Sequence, residues 1–176
     1  MEKNSAIRPS FNSSLLRMDE DKQFINDIVK LNAKANNYGL AITEDIASEI
    51  AAYRKQALIE NARFEMKSDA IYRLTSAFLE SRYIDQKDFA HTIGELIDIF
   101  YFIKNETANE IPDDEVISEM LQIFTETCFG SMELMESKGL EKILRRYKHG
   151  DTDIWSDYEN TNWEDYYNDG DESWRE

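Results

Sequence analysis

The chain has 176 residues, 41% hydrophobic and 12% aromatic, enough apolar material for one packed domain. Six Gly and two Pro argue against collagen-like, Pro-rich or turn-dense all-β chains, and one Cys excludes an intramolecular disulfide and a Cys-based zinc cage. With 36 Asp plus Glu against 20 Lys plus Arg, a formal charge of −16 disfavours non-specific binding to nucleic-acid phosphates or anionic lipid.

Residues 1–18 carry Ser, Asn and Pro9 among scattered apolar residues and read as a flexible N-terminal arm. The N-terminus lacks the apolar core of a secretory signal, and the longest apolar run, Ile99–Ile103, is far short of the ~18 residues that span a membrane. Both observations point to a cytoplasmic protein without membrane association.

Residues 19–148 carry helical periodicity and are expected to form the folded domain. Phe24, Ile25, Ile28 and Val29 define a first helical face that fades at Asn36-Asn37-Tyr38-Gly39. Thr43 is an N-cap candidate for a second helix with Ile46, Ile50, Tyr53, Ala57 and Leu58 on its stripe. Ser68 or Asp69 opens a third, carrying Ile71, Leu74, Phe78 and Leu79. Asp85 caps a fourth, expected from about Gln86 to Lys104. Pro112 and the acidic Asp113-Asp114-Glu115 suit the first turn of a fifth helix, whose inner face is Val116, Ile117, Met120, Leu121 and Phe124. A last helical region is expected from about Ser131 to Tyr147, with an interruption at Gly139. The sum is an all-α fold, a compact bundle of five or six helices.

The fourth helix reads as the centre. Phe89, Ile93, Leu96, Ile97 and Phe100 form one stripe, while Ile99 and Phe102 make the opposite side apolar too, the pattern of a helix surrounded by others. A buried strand is the competing assignment for Leu96–Ile103, but the long flanking periodicity favours a helix.

Several side-chain groups have the composition of a reactive or metal site, and each also has a simpler role. Asp88, His91, Glu95 and Asp98 have spacings that place them on one helical side, and such side chains can hold a metal. At about 100° per residue, however, they point away from the Phe89/Ile93/Leu96/Phe100 stripe, so a solvated polar face is expected. Cys128 has aromatic and acidic neighbours in Phe124–Gly130 and reads as a small buried hydrophobe, not a nucleophile. Phosphate-cradling glycine loops and a nucleophile-elbow motif are absent; Gly130 and Gly139 read as helix ends. No catalytic residue, metal site or cofactor is expected.

The dense basic run is Lys138, Lys142, Arg145, Arg146 and Lys148, on the last helix. It serves either helix-dipole compensation and solubility or an anion contact. From residue 149 the composition turns into an acidic, aromatic-rich tail, disordered or docked. Asp151–Glu176 holds ten acidic residues and one basic one, together with all three Trp. Trp155, Tyr158, Trp163, Tyr166, Tyr167 and Trp174 are interleaved with carboxylates, a pattern suited to docking on a partner or back onto the chain. Partner binding is therefore assigned to these six aromatics with Lys142, Arg145 and Arg146.

From Ala51 to Arg146 the chain resembles an uncharacterised bacterial family of small helical proteins common in Clostridia-like Firmicutes. The resemblance is carried by Tyr53-Arg54-Lys55-Gln56-Ala57-Leu58, Ala62-Arg63-Phe64-Glu65, Phe100-Tyr101-Phe102-Ile103-Lys104-Asn105-Glu106, Asp113-Asp114-Glu115-Val116-Ile117 and Cys128-Phe129-Gly130-Ser131-Met132-Glu133. It implies a shared fold and supplies no activity. The expected function is a non-enzymatic cytoplasmic protein–protein interaction module, binding a protein and not nucleic acid directly. The alternatives are a carboxylate-rich or metal-dependent enzyme, and an acidic nucleic-acid mimic that binds a basic protein.

Overall fold

A computed structural model describes residues 11–63 and 69–149, with side chains described from Glu20 to Tyr147. The described residues are all-α. Helix α1 (Phe11–Lys30) runs into the short α2 (Asn32–Ala35) and a 3₁₀ turn, Asn36–Tyr38; α3 (Glu44–Glu60), α4 (Asp69–Phe78) and α5 (Phe89–Glu106) follow. Then come α6 (Asp113–Gln122), a π turn at Ile123–Thr127, α7 (Met132–Leu134), a second π turn at Met135–Gly139, and α8 (Leu140–His149).

The first helix begins at Phe11, inside the stretch 1–18 read as an arm. Phe11, Leu15 and Met18 are spaced four and three apart, so the helical repeat continues upstream of residue 19. The region ends where expected, with Gly39 in the left-handed conformation at φ 76°. Thr43 caps α3 as its chemistry suggests, its hydroxyl accepting from the Ile46 amide at 3.3 Å, with Glu44 and Asp45 in the first turn.

The start of α5 differs from expectation. Asp85 does not cap the helix; the chain makes a turn there, with the Asp88 amide donating to the Asp85 carbonyl at 3.2 Å, and the helix begins at Phe89. The Gln86 side chain explains why. Its carboxamide accepts from the Ala41 amide and donates to the Ala41 carbonyl, tying residue 86 to the loop before α3 and keeping it out of helix α5.

Helix α5 is the axis of the bundle. It packs on α3, α4, α6 and α8, while α1 covers α3 and α4 covers α6. Phe89, Ile93, Leu96, Ile97, Phe100, Tyr101 and Ile103 are all buried, and so is Ile99; Phe102 is the exception on this helix, 42% exposed. The core continues into Phe24 and Ile28 of α1, Ile50 of α3, Leu74 and Phe78 of α4, and Phe124 of the first π turn. Phe78 and Phe124 meet edge to face at 5.5 Å between ring centroids.

The N-terminus of α6 is anchored by charge. Asp113 pairs with Lys104 at 2.9 Å and with Arg73 at 3.2 Å, while Arg73 also reaches Asp114 at 2.8 Å. Lys104 is 5% exposed and donates a second hydrogen bond to the Ile111 carbonyl, so its buried ammonium is doubly satisfied.

Gly130, with φ 81°, ends the helical run after the first π turn, as expected. Gly139 does not end a helix. It lies within the run Met132–His149, where a Cβ would stand 2.9 Å from Met135 Sδ, 3.1 Å from Ile123 Cγ2 and 3.3 Å from Cys128 Sγ. The absent side chain lets the two π turns pack against each other, and π turns concentrate where a helix is being fitted to a special neighbour.

Candidate functional site

Helices α6 and α8 run in opposite directions: Tyr147 lies near Glu115 and Glu119, while Lys142 shares a small cleft with Gln122, Ile123 and Glu126. Helix α8 turns Ile143 into the core and leaves a basic stripe outside, the amphipathic pattern expected of a surface helix. The stripe is where the sequence placed Lys142, Arg145 and Arg146, and the three do share this face.

Their environments differ. The Arg146 side chain is 40% exposed and its Nη1 donates to Glu119 Oε1 at 3.1 Å. Glu119 is 6% exposed, and its Oε2 has no hydrogen-bond partner among the described residues. The Tyr147 hydroxyl lies beside the same carboxylate, outside hydrogen-bond geometry. Burial first, and the Glu119 carboxylate second, push its phenol far above the ordinary value. Arg146 is thereby anchored through Nη1 while its side chain stays partly exposed. Arg145 pairs with Glu141 one turn back at 3.0 Å and keeps 48% of its side chain exposed. Lys142 is half-buried at the cleft, and Lys138 is exposed at the end of the π turn. The exposed Leu134 and Phe129 stand at the N-terminal end of this helical run, 37% and 66% accessible. Glu119 lies 27 residues from Arg146 in sequence, and no local signal marks it as the partner.

A second feature is an open groove of about 370 Å³ between α4 and α6, floored by Tyr72, Ala77, Ile117 and Leu121. Its rim charges are engaged: Arg73 with Asp113 and Asp114, and Lys34 with Glu80 at 2.9 Å. Lys34 also donates to the Ser76 carbonyl at 3.0 Å.

The Asp88/His91/Glu95/Asp98 face is exposed, apart from a half-buried Glu95. His91 stands 3.6 Å from Glu95 and hydrogen-bonds Tyr53 at 3.2 Å across the α3–α5 packing. The sequence marks Tyr53 as part of a helical stripe and of the family resemblance, and its link to His91 joins residues 38 apart in sequence. Partial burial, then Glu60, Glu95 and Glu136, raise the Asp98 carboxyl above the usual range. Among the described residues, no group of three or more His, Cys, Asp or Glu side chains is arranged to hold a metal ion.

Cys128 is 1% exposed, and burial pushes its thiol pKa up, a trend Lys142 partly offsets. Trp155, Tyr158, Trp163, Tyr166, Tyr167 and Trp174 lie outside the described residues. No helix among the described residues is long and apolar enough to cross a membrane.

Residues 27–153 match the model of a family described as "Family of unknown function (DUF6323)". Since the match covers well over half of the chain, the protein belongs to that family. It includes α8 and its basic stripe, and it stops three residues into the acidic segment Asp151–Glu176. No curated protein and no solved structure matches the chain.

Proposed function

We propose that this family member is a non-enzymatic, cytoplasmic protein–protein interaction module whose α8 face takes up an acidic segment of a protein partner. The observation that carries the reading is the preset geometry of that face. Arg146 is anchored by a buried carboxylate and Arg145 pairs with Glu141 on the surface, so two guanidinium groups stand on one helix face, the first of them held in place, and both stay partly exposed. Ordering costs met in advance within the fold do not recur on binding. Arg groups on a rigid helix also recognise carboxylates through paired donors, which Lys does less well.

The test uses the full-length chain on a biosensor surface, probed with a glutamate–tyrosine copolymer and with an RNA duplex at matched salt. The wild type is expected to retain the copolymer and a Lys138→Glu/Arg145→Glu variant to release it. Equal or tighter retention of RNA would replace the protein reading with a nucleic-acid one.

The acidic nucleic-acid mimic is a second reading, favoured by the carboxylate density around Asp98, which gathers Glu60, Glu95 and Glu136. Its mark is salt-sensitive capture of a basic protein that DNA competes away.

A further inference from the structure

The chain carries its own acidic segment at the end of the helix proposed to receive one. We infer that Asp151–Glu176 lies back along the α8 face in cis and occupies the surface that a partner's acidic segment would use. The inference rests on the reading of α8 as a receptor for acidic polypeptide and adds the regulation of that site.

Charge, reach and ring chemistry support it. The segment has ten acidic residues and one basic one, whereas Lys138, Lys142, Arg145, Arg146 and Lys148 cluster within eleven residues of the last helical run. Helix α8 has ten residues and ends at His149, two residues before the segment begins. Ten helical residues span about 15 Å, and an extended chain covers roughly 3.3 Å per residue. A short reversal followed by about five extended residues therefore returns the chain along all of α8. Trp155 and Tyr158 fall within that stretch, and Trp163 reaches the level of the exposed Leu134 and Phe129. Indole and phenol rings suit this surface because guanidinium groups stack on aromatic faces while neighbouring carboxylates meet the remaining donors.

All three tryptophans lie in the segment, so the intrinsic tryptophan emission of the whole protein reports on it alone. The experiment compares the full-length chain with a synthetic peptide of residues 151–176, reading emission wavelength and acrylamide quenching at low salt. The expected result is emission at shorter wavelength and weaker quenching in the full chain, independent of protein concentration. Lys138→Glu/Arg145→Glu should return both readings to those of the peptide. So should 1 M salt on the wild type, where screening acts within about 3 Å, which supplies the same test should the variant misfold. Adding the glutamate–tyrosine copolymer should displace the segment and give the same reversion.

Peptide-like emission from the wild-type chain at low salt overturns the inference. Protection that survives both charge reversal and salt overturns it too, because the rings are then covered elsewhere. Protection that appears only at high protein concentration assigns the contact to a second copy and overturns docking in cis. Retention of the copolymer with peptide-like tryptophan emission leaves the receptor reading standing while this inference falls. Docked tryptophans that no acidic probe displaces remove the receptor reading instead.

Discussion

The ring of Tyr53 occupies the space in which a side chain on Gly94 would begin, its Cγ 2.5 Å from the position of a Cβ there. Helices α3 and α5 approach this closely because α5 has no side chain at the crossing. Gly94→Ala sets a helix-propensity gain of about 1 kcal/mol against an overpacking cost of about 1–3 kcal/mol. A net loss of up to about 2 kcal/mol in urea unfolding is expected, towards the upper end because the ring is also tied to His91. In a Tyr53→Ala background the same substitution should be neutral or stabilising, and a double-mutant cycle measures the difference.

Arg146→Ala leaves the Glu119 carboxylate buried without its cation. Breaking a fully buried pair costs about 3–5 kcal/mol, and because Arg146 is 40% exposed, about 2–3 kcal/mol is expected. Glu119→Gln keeps a hydrogen-bond acceptor for the guanidinium and should cost less. Chemical denaturation of both variants gives the comparison, and equal losses would show that charge is not what the pair contributes.

Asp98 gives a pH dependence with a defined sign. Its carboxyl pKa is raised in the folded chain by burial, Glu60, Glu95 and Glu136, so the native state holds the proton more tightly than the unfolded state does. Its contribution is most favourable below the ordinary value of 3.8 and is lost as pH rises through the raised one. Asp98→Asn should therefore raise Tm at neutral pH, and the advantage should shrink towards pH 3.5. Because Asp98 is exposed to solvent, the gain stays under about 1 kcal/mol.

Cys128 should resist thiol reagents in the native state. The side chain is 1% exposed and its thiolate is disfavoured by burial. Reaction with a chromogenic disulfide is expected to proceed at the rate of unfolding and to become fast in denaturant. Rapid native-state labelling would show that the packing of the two π turns opens on its own.

Phe100 tests the axis of the bundle. It is 1% exposed and sits edge to face with Tyr101 at 5.3 Å, so Phe100→Ala should cost about 3–5 kcal/mol in denaturant melts.

What could be read from the chain in advance follows the range of each interaction. Thr43 as a cap and Asp113-Asp114-Glu115 at a helix start are local, and both appear where local chemistry puts them. The α5 stripe was legible because its period repeats over many residues. The start of α5 was not, because Gln86 answers to Ala41, 45 residues away. Gly139 was misread as a terminus for a similar reason. Its role depends on Ile123 and Cys128, which arrive from another element, and nothing in the local spacing announces them. At the candidate site, Lys142, Arg145 and Arg146 were visible as a helical group. The carboxylate that fixes Arg146 is a single Glu among many in an acidic chain, and only burial distinguishes it.

The π turn at Met135–Gly139 takes up one residue of chain without changing which side chains of α8 reach the surface. Such a turn accommodates one residue more than α geometry would, so removing Ser137 should let it relax to an ordinary helix. The side chains downstream would keep their facing, because the residue lost is the one the widened turn had absorbed. Arg146 would stay on Glu119 and Ile143 in the interior, and the shortened chain would give up only the local bulge beside Ile123 and Cys128.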